Sequence, residues 1–354
     1  MRLVLIVLLF VLPGTSVVLQ AQPWEGIDAP PGRRSTGWLP VPDGADGRDV
    51  RLPVTVIRGN EDGPTVAILA GIHGVEYVPI VALHSLAARI DPQQVRGTIV
   101  LVHIANPPAF QRRTIFYGPN DWKNLNRVFP GKADGSQSER IAHVLTTHII
   151  DRVDAMIDVH CGDGNEDLTP YVSFFADAPD TEVVARSRSM ALAFGSPVVK
   201  VNRDPSRNPN ATRYTTNAAA ARGVAAIGVE LGGLGRVERE EVETVQNGLL
   251  NVLRQLRSLR EAPLAVAKPM FMTQSQSVAS PANGLWFPAV RAGQPIAKDS
   301  VIGTIRDPFG AMLAEVRSPL TGYVVYVTTT PPTNAGETLA SIGVAAESDA
   351  APRD

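Results

Sequence analysis

The sequence predicts an α/β protein with a mostly parallel mixed sheet and helices on both faces, followed by a small C-terminal all-β module. Short apolar runs at residues 65–70, 98–104, 155–159 and 224–229 alternate with segments of helical period, which is typical of strands joined by crossover helices. After residue 263 the runs are instead separated by Gly, Pro and Asp, as in small all-β modules. At 354 residues the chain is long enough for two domains.

The predicted elements begin with an edge strand, since residues 51–58 alternate in polarity. The buried strand at 65–70 then leads into a helix of about four turns after Glu76. The apolar run at 98–104 is the next strand. Residues 109–136 have no regular period, and loops of that length usually carry function.

The second half of the α/β domain, which we place at residues 49–262, alternates helices and strands. The predicted elements are a helix at 137–150, a strand at 155–159, strands at 172–176 and 196–201 around an alanine-rich helix, a helix at 212–221, a strand at 224–229 and a helix at 238–259 with one apolar stripe. A C-terminal β domain follows at 263–346, and residues 347–354 are predicted to be a disordered tail.

The first 21 residues are predicted to be a signal peptide. Arg2 precedes an apolar run at 3–12 that is too short to span a bilayer, and Pro13-Gly14 ends it. We therefore expect an exported, periplasmic protein with no stable membrane partner after cleavage, and an uncleaved membrane anchor is the alternative. Residues 22–48, rich in Pro, Gly and Asp, are predicted to be an irregular N-terminal segment.

The amino-acid composition limits the classes of binding partner that we expect. The formal net charge of −2 gives no electrostatic case for nucleic acid, so the expected partner is a small molecule; a homo-oligomer remains open. Cys161 is the one cysteine, so an internal disulfide is impossible. A buried filler role and a catalytic role beside His160 are both open for Cys161.

Acidic and imidazole side chains follow three of the predicted strands. His73 and Glu76 come after the strand at 65–70, while His160 and Glu230 directly follow two later strands. Because the carboxyl ends of parallel strands meet at one edge of a sheet, these side chains can converge there. The alternatives are structural: His73 as a hydrogen-bonded loop residue and Glu76 as a first-turn residue favoured by the helix dipole.

Two histidines, one glutamate and an open position for water are a common catalytic zinc set. His73, Glu76 and His160 supply such a set, which predicts one zinc ion per chain. Hydrolysis also needs an unligated carboxylate to take a proton from the water, and Glu230 is placed for that role. An ion pair with an arginine such as Arg213 is the alternative for Glu230.

Ordered motifs carry a resemblance to a known family. They are Gly-x-His-Gly-x-Glu at 71–76, Asn-Pro at 106–107 followed by Asp-x-x-Asn-Leu-Asn-Arg-x-Phe-Pro-Gly at 121–131, Asp-x-His at 158–160 and Glu-x-Gly at 230–232. Together they resemble the succinylglutamate desuccinylase/aspartoacylase family of zinc hydrolases, which is related to the metallocarboxypeptidases. The resemblance covers about residues 50–345. It implies a zinc-carboxypeptidase-like fold, zinc held by His73, Glu76 and His160, and Glu230 as general base.

The resemblance also implies that Asn126 and Arg127 bind the substrate carboxylate, a task that suits a guanidinium fork. A salt bridge that pins the long loop is the alternative for Arg127. Family members tend to carry an arginine beside the oxyanion, at the place where Ile115 stands here. Arg113 could substitute by reaching from two residues earlier, and the alternative is that zinc stabilises the oxyanion alone.

The C-terminal runs at 290–296 and 316–324 resemble the biotinyl/lipoyl-type half-barrel that caps the active site in this family. No lysine stands in the turn at 317–324 where a carrier would attach its cofactor, so we expect a lid and not a cofactor arm. Tyr323 or Tyr326 could close the substrate pocket, with packing inside the module as the alternative.

These observations predict a zinc-dependent deacylase that hydrolyses the amide bond of an N-acyl amino acid or small peptide bearing a carboxylate. One alternative is a periplasmic metallocarboxypeptidase acting on peptidoglycan-type peptides. The other is a non-catalytic, metal-containing exported binding protein.

Overall fold

The structure is a computed structural model that describes residues 24, 26–44, 49–203, 208–346 and 348. The proposed signal peptide at 1–21 and nearly all of the predicted tail at 347–354 lie outside these residues. In the part that is described, no helix is both long and apolar enough to cross a membrane.

The strands, in chain order, are β1 (Arg33–Val41), β2 (Val50–Arg58), β3 (Glu61–Ala70), β4 (Arg96–Val102), β5 (Ala155–His160), β6 (Glu166–Leu168), β7 (Tyr171–Phe175), β8 (Val198–Asn202), β9 (Ala225–Glu230), β10 (Met270–Ala279), β11 (Gly284–Pro288), β12 (Pro295–Ile296), β13 (Val301–Arg306), β14 (Met312–Arg317), β15 (Gly322–Thr328), β16 (Pro332–Thr333) and β17 (Thr338–Ala346). The helices are α1 (Tyr77–Arg89), α2 (Pro107–Arg112), α3 (Gln137–His148), α4 (Thr181–Phe194), α5 (Thr215–Ala220) and α6 (Arg239–Gln255), with short 3-10 helices at Pro92–Gln94, Leu125–Arg127 and Ile150–Arg152. The helices and strands predicted between 65 and 259 are confirmed to within a few residues at their ends.

A thirteen-stranded sheet of order β1-β2-β4-β3-β5-β9-β7-β8-β10-β17-β15-β12, with β6 on β15, organises the described residues. Five of its pairings are parallel (β3 with β4 and β5, β5 with β9, and β8 with β7 and β10). The other seven are antiparallel. The prediction of a mostly parallel sheet is therefore wrong. Six of the seven antiparallel pairings lie towards the two ends of the sheet, where strands such as β1 and β2 follow each other without a crossover helix.

Helices cover both faces of the central strands, as predicted. Ile68 of β3 packs in a core with residues of α1, α4 and α6, while its neighbours Ala67 and Leu69 pack in a second core with residues of α3 and α5. This follows from the period of two in a strand, which sends successive side chains to opposite faces. Both faces of β3 are apolar because both are covered.

The N-terminal segment is not wholly irregular. Residues 33–41 form β1, which pairs with β2 along its entire length, so β1 and not β2 is the edge strand. Gly37 and Pro40 weaken the strand signal in the sequence. An edge strand tolerates both residues because only one of its sides must donate to a neighbour.

The C-terminal segment consists of strands, but the main sheet does not stop before it. β10 pairs with β8 on one side and with β17 on the other, so the large sheet continues into this segment. A second sheet of order β14-β13-β11-β16 lies beside it, and Trp286 is buried in the core between them. The boundary near residue 263 stays a prediction.

Candidate active site

Three parallel strands deliver the candidate site to one edge of the sheet. β5 lies between β3 and β9, and His160 is the direct neighbour of Glu230 in the β5–β9 register. β3 ends at Ala70, three residues before His73. The carboxyl ends of β3, β5 and β9 therefore bring together the acidic and imidazole side chains that the sequence analysis assigned to these strand ends.

His73, Glu76 and His160 face one point. One ligand atom from each residue, an imidazole nitrogen or a carboxylate oxygen, lies within 4.8 Å of the other two, and all three residues are buried. Nδ1 of His73 is 2.7 Å from Oε1 of Glu76, and Nδ1 of His160 is 3.0 Å from Oε2 of the same carboxylate. In the described part of the chain this is the one cluster of three or more such side chains that could hold a metal ion.

The outer nitrogen of each imidazole contacts a side-chain oxygen. Nε2 of His160 lies 2.8 Å from Oδ2 of Asp158, and Nε2 of His73 lies 3.2 Å from Oδ1 of Asn124. Thr215 donates its hydroxyl to the same Asp158 oxygen. Because a carboxylate and an amide oxygen can only accept, Nε2 is the donor in both of these contacts, and Nδ1 is the nitrogen of each ring that faces Glu76.

The pKa values of this cluster follow from its mutual contacts. Burial disfavours the charged imidazole of His73, but the Glu76 carboxylate outweighs it and raises the pKa of His73 to about 9. Burial alone would raise the pKa of Glu76, yet His160 and His73 together lower it to about 2. A carboxylate and two basic nitrogens at one buried point are the donor set that zinc prefers, so these residues fit the metal.

Glycines allow this arrangement around His73. Gly71 has φ +70°, in the left-handed region that favours glycine. At Gly74 an added Cβ would collide with the backbone carbonyl of Ala109 in α2. The backbone on either side of His73 is therefore fixed by conformation at one glycine and by close packing at the other.

Glu230 stands next to this cluster with its carboxylate free. In the part of the chain that is described, no basic side chain forms an ion pair with it, so the alternative of a bond to Arg213 is not observed. Burial raises the pKa of Glu230 to about 8, with His160 opposing the effect and Glu76 adding to it. An unpaired carboxyl group with a raised pKa beside a candidate metal site is suited to proton transfer.

Asn126 and Arg127 reach the same cavity from the long loop. Oδ1 of Asn126 accepts the backbone N–H of Thr215 at 3.0 Å, and its Nδ2 lies 3.4 Å from Nε2 of His160. The Arg127 guanidinium stacks on the ring of Tyr214 at 4.7 Å and donates to the carbonyl of Asn126. Among the described residues Arg127 has no acidic partner, which leaves donors for an anion.

Arg113 is not brought to the cavity. It ends α2 in the left-handed conformation with φ 55°, it is exposed, and it does not line the cavity that contains the other site residues. Its backbone N–H caps the helix by donating to the carbonyl of Phe110. The expectation that Arg113 replaces the family's oxyanion arginine therefore receives no support from its position.

The cavity has a volume of about 860 Å³, and strands from both parts of the chain line it. Tyr326 of β15 reaches the cavity, whereas Tyr323 is buried among Val198, Met272 and Val325. Cys161 also lines the cavity, and burial raises the pKa of its thiol well above the usual value, which keeps it in the unreactive neutral form.

Several lining residues were not identified as site residues from the sequence, among them the charged residues Asp158, Asp163, Glu166 and Lys200. Asp158 stands two residues before His160 on one strand, so strand periodicity could have placed both side chains on one face. Lys200 interrupts an apolar strand, and its ammonium lies 5.5 Å from the centre of the Tyr171 ring. Burial lowers the pKa of Lys200, against the influence of Glu230.

Comparison with known proteins finds a family model and a characterised relative that match this chain. The model of the succinylglutamate desuccinylase/aspartoacylase catalytic domain family matches residues 62–256. An N-alpha-acetyl-L-2,4-diaminobutyric acid deacetylase from Halomonas elongata is 32% identical over 308 residues, covering 84% of this chain and 87% of that protein.

Solved structures are similar over most of the chain. The product-bound ectoine utilization protein EutE (DoeB) from Ruegeria pomeroyi has a TM-score of 0.80 at 27% identity and covers 90% of this chain and 98% of its own. A succinylglutamate desuccinylase/aspartoacylase from Rhodobacter sphaeroides has a TM-score of 0.77 at 29% identity, with 88% and 95% covered.

Proposed function

The chain belongs to the succinylglutamate desuccinylase/aspartoacylase family of deacylases, and we propose on that basis that it is a zinc-dependent enzyme hydrolysing the amide bond of an N-acyl amino acid. The observation that carries the proposal is the convergence of His73, Glu76 and His160 on one buried point, with the unpaired Glu230 as the strand neighbour of His160.

His73, Glu76 and His160 would hold the metal, each imidazole through Nδ1. Zinc bound there supplies Lewis-acid polarisation of the scissile carbonyl and lowers the pKa of a water molecule to about 7. Asp158 and Asn124 keep the two rings oriented by accepting from Nε2.

Glu230 transfers a proton from the attacking water to the leaving nitrogen. Its carboxylate takes a proton from the attacking water as the water oxygen bonds to the acyl carbon, and it returns that proton to the nitrogen as the C–N bond breaks. The free acid and the amino acid are then released. Arg127 binds the α-carboxylate of the substrate, and its stacking on Tyr214 fixes the plane of the guanidinium fork.

The Halomonas relative names the first compound to test. Since it is described as a deacetylase of N-α-acetyl-L-2,4-diaminobutyric acid, acetyl is the acyl group we propose for this chain. The cavity, about 860 Å³, is large enough for such a small substrate. The proposal is therefore tested with a panel of N-acetyl amino acids whose side chains differ in charge.

The experiment combines metal content with turnover. We expect about one zinc per chain by elemental analysis and release of acetate from the panel. Glu230→Gln should retain zinc and lose roughly 10²- to 10⁴-fold in kcat, while Glu240→Gln, a change at an exposed position on α6, should leave both unchanged. Full activity of Glu230→Gln would contradict the proposed base. Zinc without turnover of acyl amino acids, peptides or esters would favour a metal-containing binding protein.

We also propose that the protein is exported by its N-terminal residues. The basis is the apolar run at 3–12 after Arg2. Mass spectrometry of the protein from a periplasmic fraction should give a chain that begins near residue 22. A full-length chain in the cytoplasmic fraction would contradict the proposal.

A further inference from the structure

One turn in the C-terminal segment displays a phenylalanine ring to solvent. Phe309 is 95% exposed and lies at 307–311 between β13 and β14, in a connection that we call the Phe309 turn. Its ring stays in water after folding, so it contributes no burial to the fold. Single exposed apolar residues are common on protein surfaces, so the surroundings of Phe309 decide whether it serves a contact.

Hydrogen bonds hold the Phe309 turn in one shape. Oδ1 of Asp307 accepts the backbone N–H of Phe309 and of Ala311, each at 2.9 Å. The N–H of Asp307 donates to the carbonyl of Ala311 at 2.9 Å, and Gly310 takes the left-handed conformation with φ +91°. The ring is therefore presented by a preformed turn, which reduces the entropy that a contact would cost.

Further apolar side chains and one arginine adjoin the Phe309 turn. Met312, the first residue of β14, is 62% exposed, and Phe287 of β11 is 44% exposed. Arg306 is the register neighbour of Met312, and its guanidinium lies 5.6 Å from the centre of the Phe287 ring. Arg306 forms no ion pair with any described residue. This surface therefore combines apolar side chains with one unpaired positive charge.

A cavity elsewhere on the same chain has the complementary character. It lies where the end of α4 approaches the start of α6, has a volume of about 520 Å³, and is called the α4–α6 groove below. Its apolar walls are Pro170, Phe194, Pro197 and Leu231. It shares no lining residue with the active-site cavity, so a contact here leaves the catalytic residues free.

The edge of the α4–α6 groove is acidic. Glu238 and Glu240 line it, both are exposed, and neither forms an ion pair within the described ranges. Arg239 also lines the groove, but it is paired with Glu243 at 2.7 Å. Unpaired glutamates around an apolar cavity are complementary in charge to an apolar surface that carries an unpaired arginine.

We propose that the Phe309 turn of one chain docks into the α4–α6 groove of a second copy of this chain. Phe309 then packs against the apolar walls of the groove, and Arg306 lies beside Glu238 and Glu240. Every copy carries both surfaces, which favours a second copy over a different protein as the partner. The contact is heterologous, so two copies can exchange two such contacts or each copy can add to the next.

Sedimentation velocity of the purified protein at several concentrations measures the association. We expect wild type to associate as its concentration rises, and Phe309→Ser to weaken the association about 30-fold or more. Thr244→Trp, which fills the groove from α6, should have the same effect. An equimolar mixture of these two variants should associate, because one supplies an intact Phe309 turn and the other an intact groove. Trp38→Ser, at an exposed aromatic position on β1, is the matched control and should behave as wild type.

Charge reversal tests the polar part of the contact. Arg306→Glu and Glu240→Arg should each weaken the association, and the double variant should recover part of the loss. Melting temperatures should stay at the wild-type value, because the substituted side chains are exposed. A wild type that stays monomeric at every concentration would overturn the proposal. An oligomer that Phe309→Ser and Thr244→Trp both leave intact, or a mixture of these variants that does not associate, would overturn it as well. None of these outcomes depends on deacylase activity.

Discussion

Nε2 of His160 lies 2.8 Å from Oδ2 of Asp158, two residues earlier on the same strand. Both side chains are on one face of β5 because successive residues alternate in a strand. The contact leaves Nδ1 of His160 directed at Glu76. Asp158 therefore determines which nitrogen the ring offers to a metal, although it does not belong to the metal cluster itself.

The first prediction concerns this contact. Asp158→Asn replaces a pure acceptor by an amide that can present N–H to His160, so the ring loses its fixed orientation and basicity. We expect zinc affinity to fall about 10- to 100-fold, measured by competition with a chromophoric chelator. Asp154→Asn is the matched control, because Asp154 precedes the same strand and accepts the backbone N–H of Thr65. Equal affinity in wild type and Asp158→Asn would contradict the orienting role.

The site residues that could be identified from the sequence are those at strand ends. An apolar run followed by His or Glu predicts a strand that ends at the edge of the sheet, and the structure brings His73, Glu76, His160 and Glu230 together at that edge. Such local patterns suffice when neighbouring strands are parallel and end at one level.

Residues whose position depends on contacts between distant segments were not found. Asp163 and Glu166 lie in a short acidic stretch that also reads as a solvated turn. The pairing of β6 with β15 and hydrogen bonds from the N–H of Leu234 to the carbonyls of both acids hold this stretch in the fold. The sheet was predicted mostly parallel because the signal of its crossover helices is strong, whereas β1 carries Gly37 and Pro40 and gives a weak strand signal. Local sequence does not specify which strands become neighbours.

Arg113 was chosen for its chemistry without regard to its backbone, and its role beside the oxyanion stays a prediction that its position does not support. We therefore predict that Arg113→Ala leaves kcat and KM within about twofold of the wild-type values, because the Arg113 side chain does not line the cavity. Removal of a true oxyanion donor lowers kcat by about 10²- to 10³-fold in other enzymes. Steady-state kinetics on the best acetyl substrate provide the measurement. A loss of kcat approaching 100-fold would place Arg113 at the oxyanion after all.

Arg127 gives a prediction with a substrate control. Arg127→Gln removes the charge and the fork, so KM for an N-acetyl amino acid should rise about 10- to 100-fold with a smaller change in kcat. Acetate release from the corresponding amino acid amide, which has no carboxylate, should be equally slow in wild type and variant. If the variant loses as much on the amide as on the acid, the guanidinium positions the loop and does not bind the carboxylate.

The last prediction is that zinc stabilises the protein more at pH 9 than at pH 6. Glu76 raises the pKa of His73 from 6.5 to about 9, so the stability from the protonated imidazole is fully present below about pH 6.5 and is lost as the pH rises through 9. Zinc binds only the neutral imidazole and must displace that proton at lower pH.

Thermal unfolding at a chelator-buffered zinc concentration, with and without the metal, measures the effect at pH 6, 7.5 and 9. The melting temperature of the metal-free protein should fall over this range while the increase caused by zinc grows. His84→Gln, at an exposed position on α1, should reproduce the wild-type trend, and His73→Gln should abolish most of the zinc effect. A zinc-induced increase that is constant or decreases from pH 6 to 9 would contradict the proton competition, and with it the assignment of His73 as a ligand through Nδ1.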